Sequence, residues 1–393
     1  VDSVNQEKLV EDAINGMLEK LDPHSVYIPK KDLQEMNEPL EGNFEGIGIQ
    51  FNILRDTIVV MNTISGGPSE KLGIMSGDKI VVIDGKTVAG IKIKNDDVLK
   101  LLRGKKGTKV NVGILKSGTK KIIEYTIVRD KIPIYSVDAA YMIDNSIGYI
   151  KVNRFAQTTM DEFLKAMKSL KEKGMKDLIL DLNDNGGGFL HIAIEMADEF
   201  LNDKKLIVYT EGLSSPKQMN LASQKGNFEK GRLVVLVDEG SASASEIVSG
   251  AIQDWDRGLL IGRRTFGKGL VQKPYQLPDG SMIRLTTARY YTPVGRSIQK
   301  PYKEGVEKYH EDLVQRYKKG ELMNADSIHF PDSLRYTTPK GRFVYGGGGV
   351  MPDIFIPLDT TMNSELVFNI ARKNVWGQYI LNLLDKERGK LLT

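Results

Sequence analysis

The chain has 393 residues, long enough for two or three domains with separate cores. Its formal net charge of +4, with lysines and acids interspersed, leaves no electrostatic footprint for a nucleic-acid or membrane partner. The absence of cysteine excludes a disulfide framework, a thiolate nucleophile and cysteine-ligated zinc, and says little about compartment.

The sequence opens at Val1 rather than Met, so an upstream segment, such as a signal peptide, is expected to have been removed by processing or cloning. No apolar run approaches the ~18–20 residues needed to cross a bilayer. Residues 4–20 predict an amphipathic helix with Leu9, Ala13, Ile14, Met17 and Leu18 on one stripe, stopped at Leu21-Asp22-Pro23-His24-Ser25. From Asn43 the pattern changes to short β-rich runs with glycine turns. Residues 44–51, 57–60, 78–85, 110–115 and 122–128 read as strands and 95–102 as a helix, a domain over residues 42–130.

Past Pro133 the pattern is α/β. A strand at 147–152 precedes a helix at 159–173, where Thr159 and Glu162 fit a capping box and Gly174 ends the run. Residues 178–182 form a short apolar strand of the kind buried on both faces. Residues 232–238, 244–255 and 259–262 make a β–α–β unit. The expected organisation is therefore multi-domain α/β: a helical segment (1–41), a β-rich domain (42–130), and an α/β core (131–393). That core carries a polar insertion (300–345) and a helical tail from Asn363 to Lys390.

Two residues stand out in small-residue settings: Ser243 in Gly240-Ser241-Ala242-Ser243-Ala244-Ser245-Glu246, and Lys268 in Thr265-Phe266-Gly267-Lys268-Gly269. Ser243 with Glu246 also fits an ordinary capping box, and spacing does not choose among the three serines. Its position after a buried strand is where α/β folds place their sites. A lysine base must be neutral near pH 7, which requires an apolar wall; Phe266, Leu270 and Val271 could supply one. The rivals are weaker. Gly262-x-x-x-x-Gly267-Lys268 approaches a P-loop, but Gly269 stands where that motif needs Ser or Thr, and a β-type run follows. The histidines His24, His191, His310 and His329 show neither triad context nor metal spacing, so no metal is expected. Gly186-Gly187-Gly188, after Asp181, reads as a turn whose bare N–H groups, with that of Ala244, could face an oxyanion.

With the segments 265–272 and 288–298 and the turn Leu21–Ser25, these motifs resemble the carboxyl-terminal processing (tail-specific) proteases over residues 5–360. The resemblance implies Ser243 as nucleophile, Lys268 as general base, Gln272 as the residue orienting the lysine, Gly187 and Ala244 as oxyanion donors, and Asp254 as a supporting acid. It implies that residues 42–130 are a PDZ domain, with Gly46-Ile47-Gly48-Ile49 as the carboxylate-binding loop and Arg103 as a link from peptide occupancy to the active site. The implied activity is a cofactor-free serine endopeptidase that takes a protein substrate by its C-terminal tail. The family's usual address is exported, in the periplasm or cell envelope, and a homo-oligomer is compatible with it. The family loop Asp-Leu-Arg-x-Asn-Pro-Gly-Gly is here Asp181-Leu182-Asn183-Asp184-Asn185-Gly186-Gly187-Gly188, without the arginine and proline. A non-catalytic PDZ adaptor on a degenerate protease scaffold is the alternative from another class.

Overall fold

Asn5 caps the first helix, α1 (Gln6–Leu18), its side chain accepting the Lys8 N–H at 3.1 Å. The computed structural model describes residues 5–116, 119, 121–202, 204–223, 225–361 and 364–391. Of the expected stripe on α1 only Leu18 is buried, while Leu9 and Met17 are exposed. The helix ends where Asp22 Oδ1 takes the N–H groups of His24 and Ser25, at 2.8 and 2.9 Å. The short strand β1 (Val26–Ile28) and helix α2 (Leu33–Glu41) follow.

The β-rich region runs β2 (Asn43–Gly46), β3 (Ile49–Leu54), β4 (Thr57–Thr63), α3 (Pro68–Lys71), β5 (Lys79–Ile83), β6 (Lys86–Thr87), α4 (Asn95–Leu102), β7 (Lys109–Leu115), β8 (Ile122–Val128) and β9 (Asp130–Pro133). Its main sheet is ordered β3-β4-β5-β7-β8, with β6 on β5, while β2 pairs β9 separately. Alternating inward residues such as Ile58, Val60, Ile80, Val110 and Val112 build a core that Val98 and Leu102 of α4 close. Strand β3 stands at one end of this order, so one edge of it is unpaired within the sheet.

The α/β region runs β10 (Val137–Met142), β11 (Ile147–Val152), α5 (Thr159–Glu172), β12 (Asp177–Asp181), α6 (Leu190–Asp198), β13 (Leu206–Gly212), β14 (Ser215–Leu221), β15 (Leu233–Val237), α7 (Ala244–Asp254) and β16 (Leu259–Gly262). It continues through β17 (Leu270–Gln276), β18 (Met282–Tyr291), α8 (Val306–Lys318), β19 (Arg335–Thr337), β20 (Phe343–Tyr345) and β21 (Ile354–Phe355). One sheet has the order β10-β11-β12-β15-β16-β21 and is parallel from β11 onward. A second, antiparallel sheet is ordered β1-β18-β13-β14, with β17 on β18. The apolar strand residues Ile150, Leu180 and Val235 share one core with Phe163, Met196, Ile247 and Ile252 of the helices. The expected Thr159–Glu162 cap does not form. Glu162 instead accepts the N–H groups of Ser136 and Val137 at 2.8 and 3.0 Å, and Thr158 occupies the cap position.

The tail forms α9 (Glu365–Arg372) and α10 (Val375–Leu391), with Asn363 outside the described residues. The chain divides into two compact units, Val1–Gly42 with Tyr135–Leu358 and Asn43–Ile134 with Asp359–Thr393. This differs at both ends from the expected division. The N-terminal segment joins the α/β unit because β1 pairs β18 and the Gln157 N–H donates to the Leu40 carbonyl at 2.9 Å. The tail joins the β-rich unit because Leu381 is buried with Leu54 and Val59 and Asp385 pairs with Lys79 at 2.7 Å.

Candidate active site

Three neighbouring parallel strands of the α/β unit deliver the residues of interest. In a parallel sheet the loops leaving adjacent strands lie side by side at the C-terminal edge. Strand β12 delivers the glycine loop, β15 the serine turn and β16 the turn that carries Lys268. A cavity of about 620 Å³ lies at the other edge, lined by Asp177, Leu233 and Leu259, which are the first residues of those strands. It is remote from this chemistry.

The serine turn separates its three hydroxyls. Ser241 and Ser245 are fully buried, and their Oγ atoms donate to the carbonyls of Leu182 and Asn185, each at 2.8 Å. Ser243 alone is half-buried, and it holds φ 55° and ψ −109°, a costly conformation for a residue with a Cβ. Such strain is characteristic of a nucleophile presented on a strand-to-helix turn.

Glu246 does more than cap α7. It is completely buried, and one carboxylate oxygen, Oε2, accepts the N–H of Ser243 at 2.8 Å and that of Lys268 at 2.9 Å. Oε1 accepts the Gly267 N–H at 2.8 Å and the Thr265 hydroxyl at 2.5 Å. Burial pushes this carboxyl above its ordinary pKa of 4.5, and the donors pull the other way. Three of the four partners are backbone N–H groups that can only donate, which favours an accepting carboxylate. On the carbonyl side the buried Tyr290 hydroxyl lies 3.0 Å from the Ser243 carbonyl oxygen and also within hydrogen-bond reach of that of Lys268. Two buried side chains thus tie the serine and lysine backbones together.

The Lys268 ammonium has its pKa lowered from 10.5, first by burial and then by the Arg284 charge, with Glu246 and Asp22 acting in the opposite sense. Its Nζ donates to Gln272 Oε1 at 3.4 Å, a long bond. The Gln272 amide donates in turn to the His24 carbonyl. The His24 ring lies against Tyr309, Nε2 to hydroxyl at 2.8 Å, and burial together with the Lys268 charge lowers its pKa to about 4. The polar insertion also braces the turn that carries Lys268. Buried Arg316 of α8 donates to the carbonyls of Thr265 and Phe266, at 2.8 and 3.1 Å.

Gly187 sits at φ +98° directly against the serine turn: a Cβ there would lie 2.7 Å from the Ala242 carbonyl oxygen and 2.9 Å from both Ala244 N and Ser243 Cβ. Its N–H, expected to face an oxyanion, donates to Asn185 Oδ1 at 2.9 Å and is engaged within its own loop. The Ala244 N–H, at the first position of α7, has no acceptor among the described residues. Asp254, expected as a supporting acid, lies at the far end of α7. It pairs there with Arg296 at 2.7 Å, both side chains fully buried, so its immediate partner is structural.

In the β-rich unit, Gly46-Ile47-Gly48-Ile49 forms the entry to β3. Ile47 is buried, Gly48 stands at φ +74°, and the Ile47 carbonyl accepts the Ser69 hydroxyl at 2.6 Å. Arg103 closes α4 with its guanidinium 5.2 Å from the centre of the Phe44 ring. Sequence reasoning missed Glu246 as a bridge, as well as Tyr290, Asp22 and Arg316. Glu246 carried a signal, but the capping pattern supplied a sufficient explanation for it.

A family model described as Peptidase family S41 matches residues 146–311, and one for the PDZ domain matches residues 46–127. The carboxy-terminal-processing protease of Bartonella bacilliformis is 39% identical over 300 residues, covering 75% of this chain and 68% of that protein. The carboxy-terminal processing protease CtpA of Bacillus subtilis is 36% identical over 326 residues, covering 83% and 68%. Among solved structures, the photosystem II D1 C-terminal processing protease aligns with 92% of this chain and 86% of its own at 27% identity, with a TM-score of 0.47. The chain therefore belongs to peptidase family S41, among the carboxy-terminal processing proteases, and carries a PDZ domain.

Proposed function

We propose that the protein is a serine endopeptidase in which Ser243 and Lys268 form a catalytic dyad and the PDZ domain receives the C-terminal tail of the substrate. The observation that carries this reading is the shared Glu246 oxygen, which accepts the backbone N–H groups of both residues. Lys268, its pKa lowered by burial and by Arg284, in its neutral form takes the Ser243 proton as Oγ attacks the scissile carbonyl. The Ala244 N–H receives the oxyanion. The Gly187 N–H joins it by leaving Asn185 Oδ1, since a charged acceptor makes the stronger bond. Protonated Lys268 hands its proton to the leaving amine, and water then clears the acyl-enzyme with the same lysine as base. Gln272 orients the ammonium through Oε1.

In the PDZ domain the unpaired edge of β3 supports addition of an extended peptide as a further strand, its carboxylate at Gly46–Ile49. The compartment we assign is the cell envelope, which fractionation checks.

The test is turnover of an unstructured polypeptide with an apolar C-terminus, alongside Ser243→Ala and Lys268→Ala, and mapping of a serine-directed acylating probe. Cleavage lost in both variants and a label on Ser243 are expected. Full activity in either variant, or a label on Ser241 or Ser245, overturns the dyad.

A further inference from the structure

We propose that Asp22 is a positioning residue for the lysine base, acting through a locked turn that fixes Gln272. The inference rests on the dyad reading above. Asp22 is buried and gathers four donors: its Oδ1 takes the N–H of His24 at 2.8 Å, the N–H of Ser25 at 2.9 Å and the Thr286 hydroxyl at 2.9 Å, and its Oδ2 takes the Ser25 hydroxyl at 2.5 Å. Ser25 Oγ accepts the Thr286 N–H at 3.1 Å, so the turn is pinned to β18 as well as to itself.

The pinned turn presents one group to the site, the His24 carbonyl, and Gln272 Nε2 donates to it. A carbonyl oxygen accepts only from the amide nitrogen, so this bond decides which way the Gln272 amide faces. Its Oε1 is then the end left for Lys268 Nζ. The cross-strand register supports the same chain. Gln272 lies opposite Thr286, the residue Asp22 holds, and Arg284 is two positions further on the same face of β18. A carboxylate near the start of the chain thereby sets the geometry of an ammonium group far along it.

Asp22 also acts on the base by its charge. The charged and titratable groups around Lys268 are Glu246 from α7, Arg284 from β18, and Asp22 and His24 from the turn, with Lys300 and His310 behind His24. Arg284 favours the neutral amine, whereas Asp22 and Glu246 favour the ammonium.

The two roles separate in two variants of the full chain, read as kcat and KM on the unstructured substrate from pH 5 to 10. Asp22→Asn retains an oxygen for the same N–H groups and removes the charge. It should keep kcat within a few-fold and move the acid limb of kcat/KM to lower pH. Asp22→Ala releases the turn and should lower kcat about 100-fold with KM unchanged, the scale of a misplaced catalytic group. Unchanged kcat in Asp22→Ala overturns the proposal, as does an unmoved acid limb in Asp22→Asn. If Asp22→Ala does not fold, Ser25→Ala loosens the same turn by removing the hydroxyl that donates to Asp22 Oδ2 and accepts the Thr286 N–H. It should lower kcat with KM unchanged, and an unchanged kcat there overturns the proposal. Lys268→Ala and Ser243→Ala run alongside: activity in either removes the dyad itself, whereas inactivity in both with unperturbed Asp22 variants removes only this proposal.

Discussion

The Glu246 carboxylate accepts the Ser243 N–H at 2.8 Å, on the oxygen that also accepts the Lys268 N–H. Glu246→Gln tests this bridge, because the amide keeps the shape but replaces one acceptor oxygen with a donor. At least one buried N–H loses its partner, which costs about 1–3 kcal/mol. Chemical denaturation should show that loss, and kcat should fall about 100-fold while KM stays within a few-fold. A Glu246→Gln enzyme with normal kcat would show that the bridge is not needed.

The Lys268–Arg284 relation gives a pH prediction. Burial and Arg284 hold the lysine below its ordinary 10.5, so the neutral, base-competent fraction exists at lower pH than for a free lysine. kcat/KM should rise through an acid limb placed below 10.5 as the ammonium loses its proton. Arg284→Met removes a like charge, raises the lysine pKa and moves that limb to higher pH, so activity at pH 7 falls while activity at high pH recovers. A limb that stays in place separates Arg284 from the base.

Gly187 offers a steric test. An alanine there would need φ +98° and would put its Cβ 2.7 Å from the Ala242 carbonyl oxygen and 2.9 Å from Ser243 Cβ. The loop must retreat from the serine turn, taking the proposed oxyanion donor with it. Loss of one such donor costs about 10²–10³ in kcat. Gly187→Ala should lie in that range with unchanged affinity for a C-terminal peptide, measured by titration calorimetry. A kcat within a few-fold of the parent would place the oxyanion elsewhere.

Much of the fold was legible because its parallel strands are short apolar runs between glycine turns, as at 178–182 and 232–238. The proposed dyad was legible only as two small-residue turns; the three serines became distinct when burial took Ser241 and Ser245 into backbone hydrogen bonds. Long-range polar pairing was hidden. Nothing local in Asp22 or Arg316 announces partners more than 200 and about 50 positions away, at Thr286 and Thr265. The glycine loop was misread in one detail, since Asn185 two positions upstream of Gly187 uses the donor expected to be free. The tail was grouped with the wrong unit because an amphipathic helix does not declare which core it covers.

Asp254 and Arg296 form a fully buried pair at 2.7 Å, and Asp254 also accepts the Val294 N–H at 3.1 Å. Asp254→Ala strands a guanidinium in the core, which costs about 3–5 kcal/mol. Urea denaturation should show that loss. At a temperature where the variant remains folded, its acid limb in kcat/KM should match the parent's. A shifted limb would return Asp254 to the catalytic machinery.

Tail capture is separable from bond cleavage if the PDZ domain only delivers the substrate. Ile49 and Phe51 of β3 and Leu101 of α4 are partly buried apolar side chains packed against that domain's core, and the first two lie on the strand with the unpaired edge. Phe51→Ala removes apolar surface that a C-terminal side chain would cover, and each lost contact of ~1.4 kcal/mol is tenfold in affinity. KM for a substrate ending in an apolar residue should rise about tenfold while kcat stays level. Removing that terminal residue from the substrate should have the same effect on the parent enzyme. The two changes together should cost little more than either alone, because they delete opposite sides of one contact. Additive losses would mean that Phe51 and the substrate terminus act at separate places, and a fall in kcat without a change in KM would mean that the PDZ domain controls the dyad rather than supplying it.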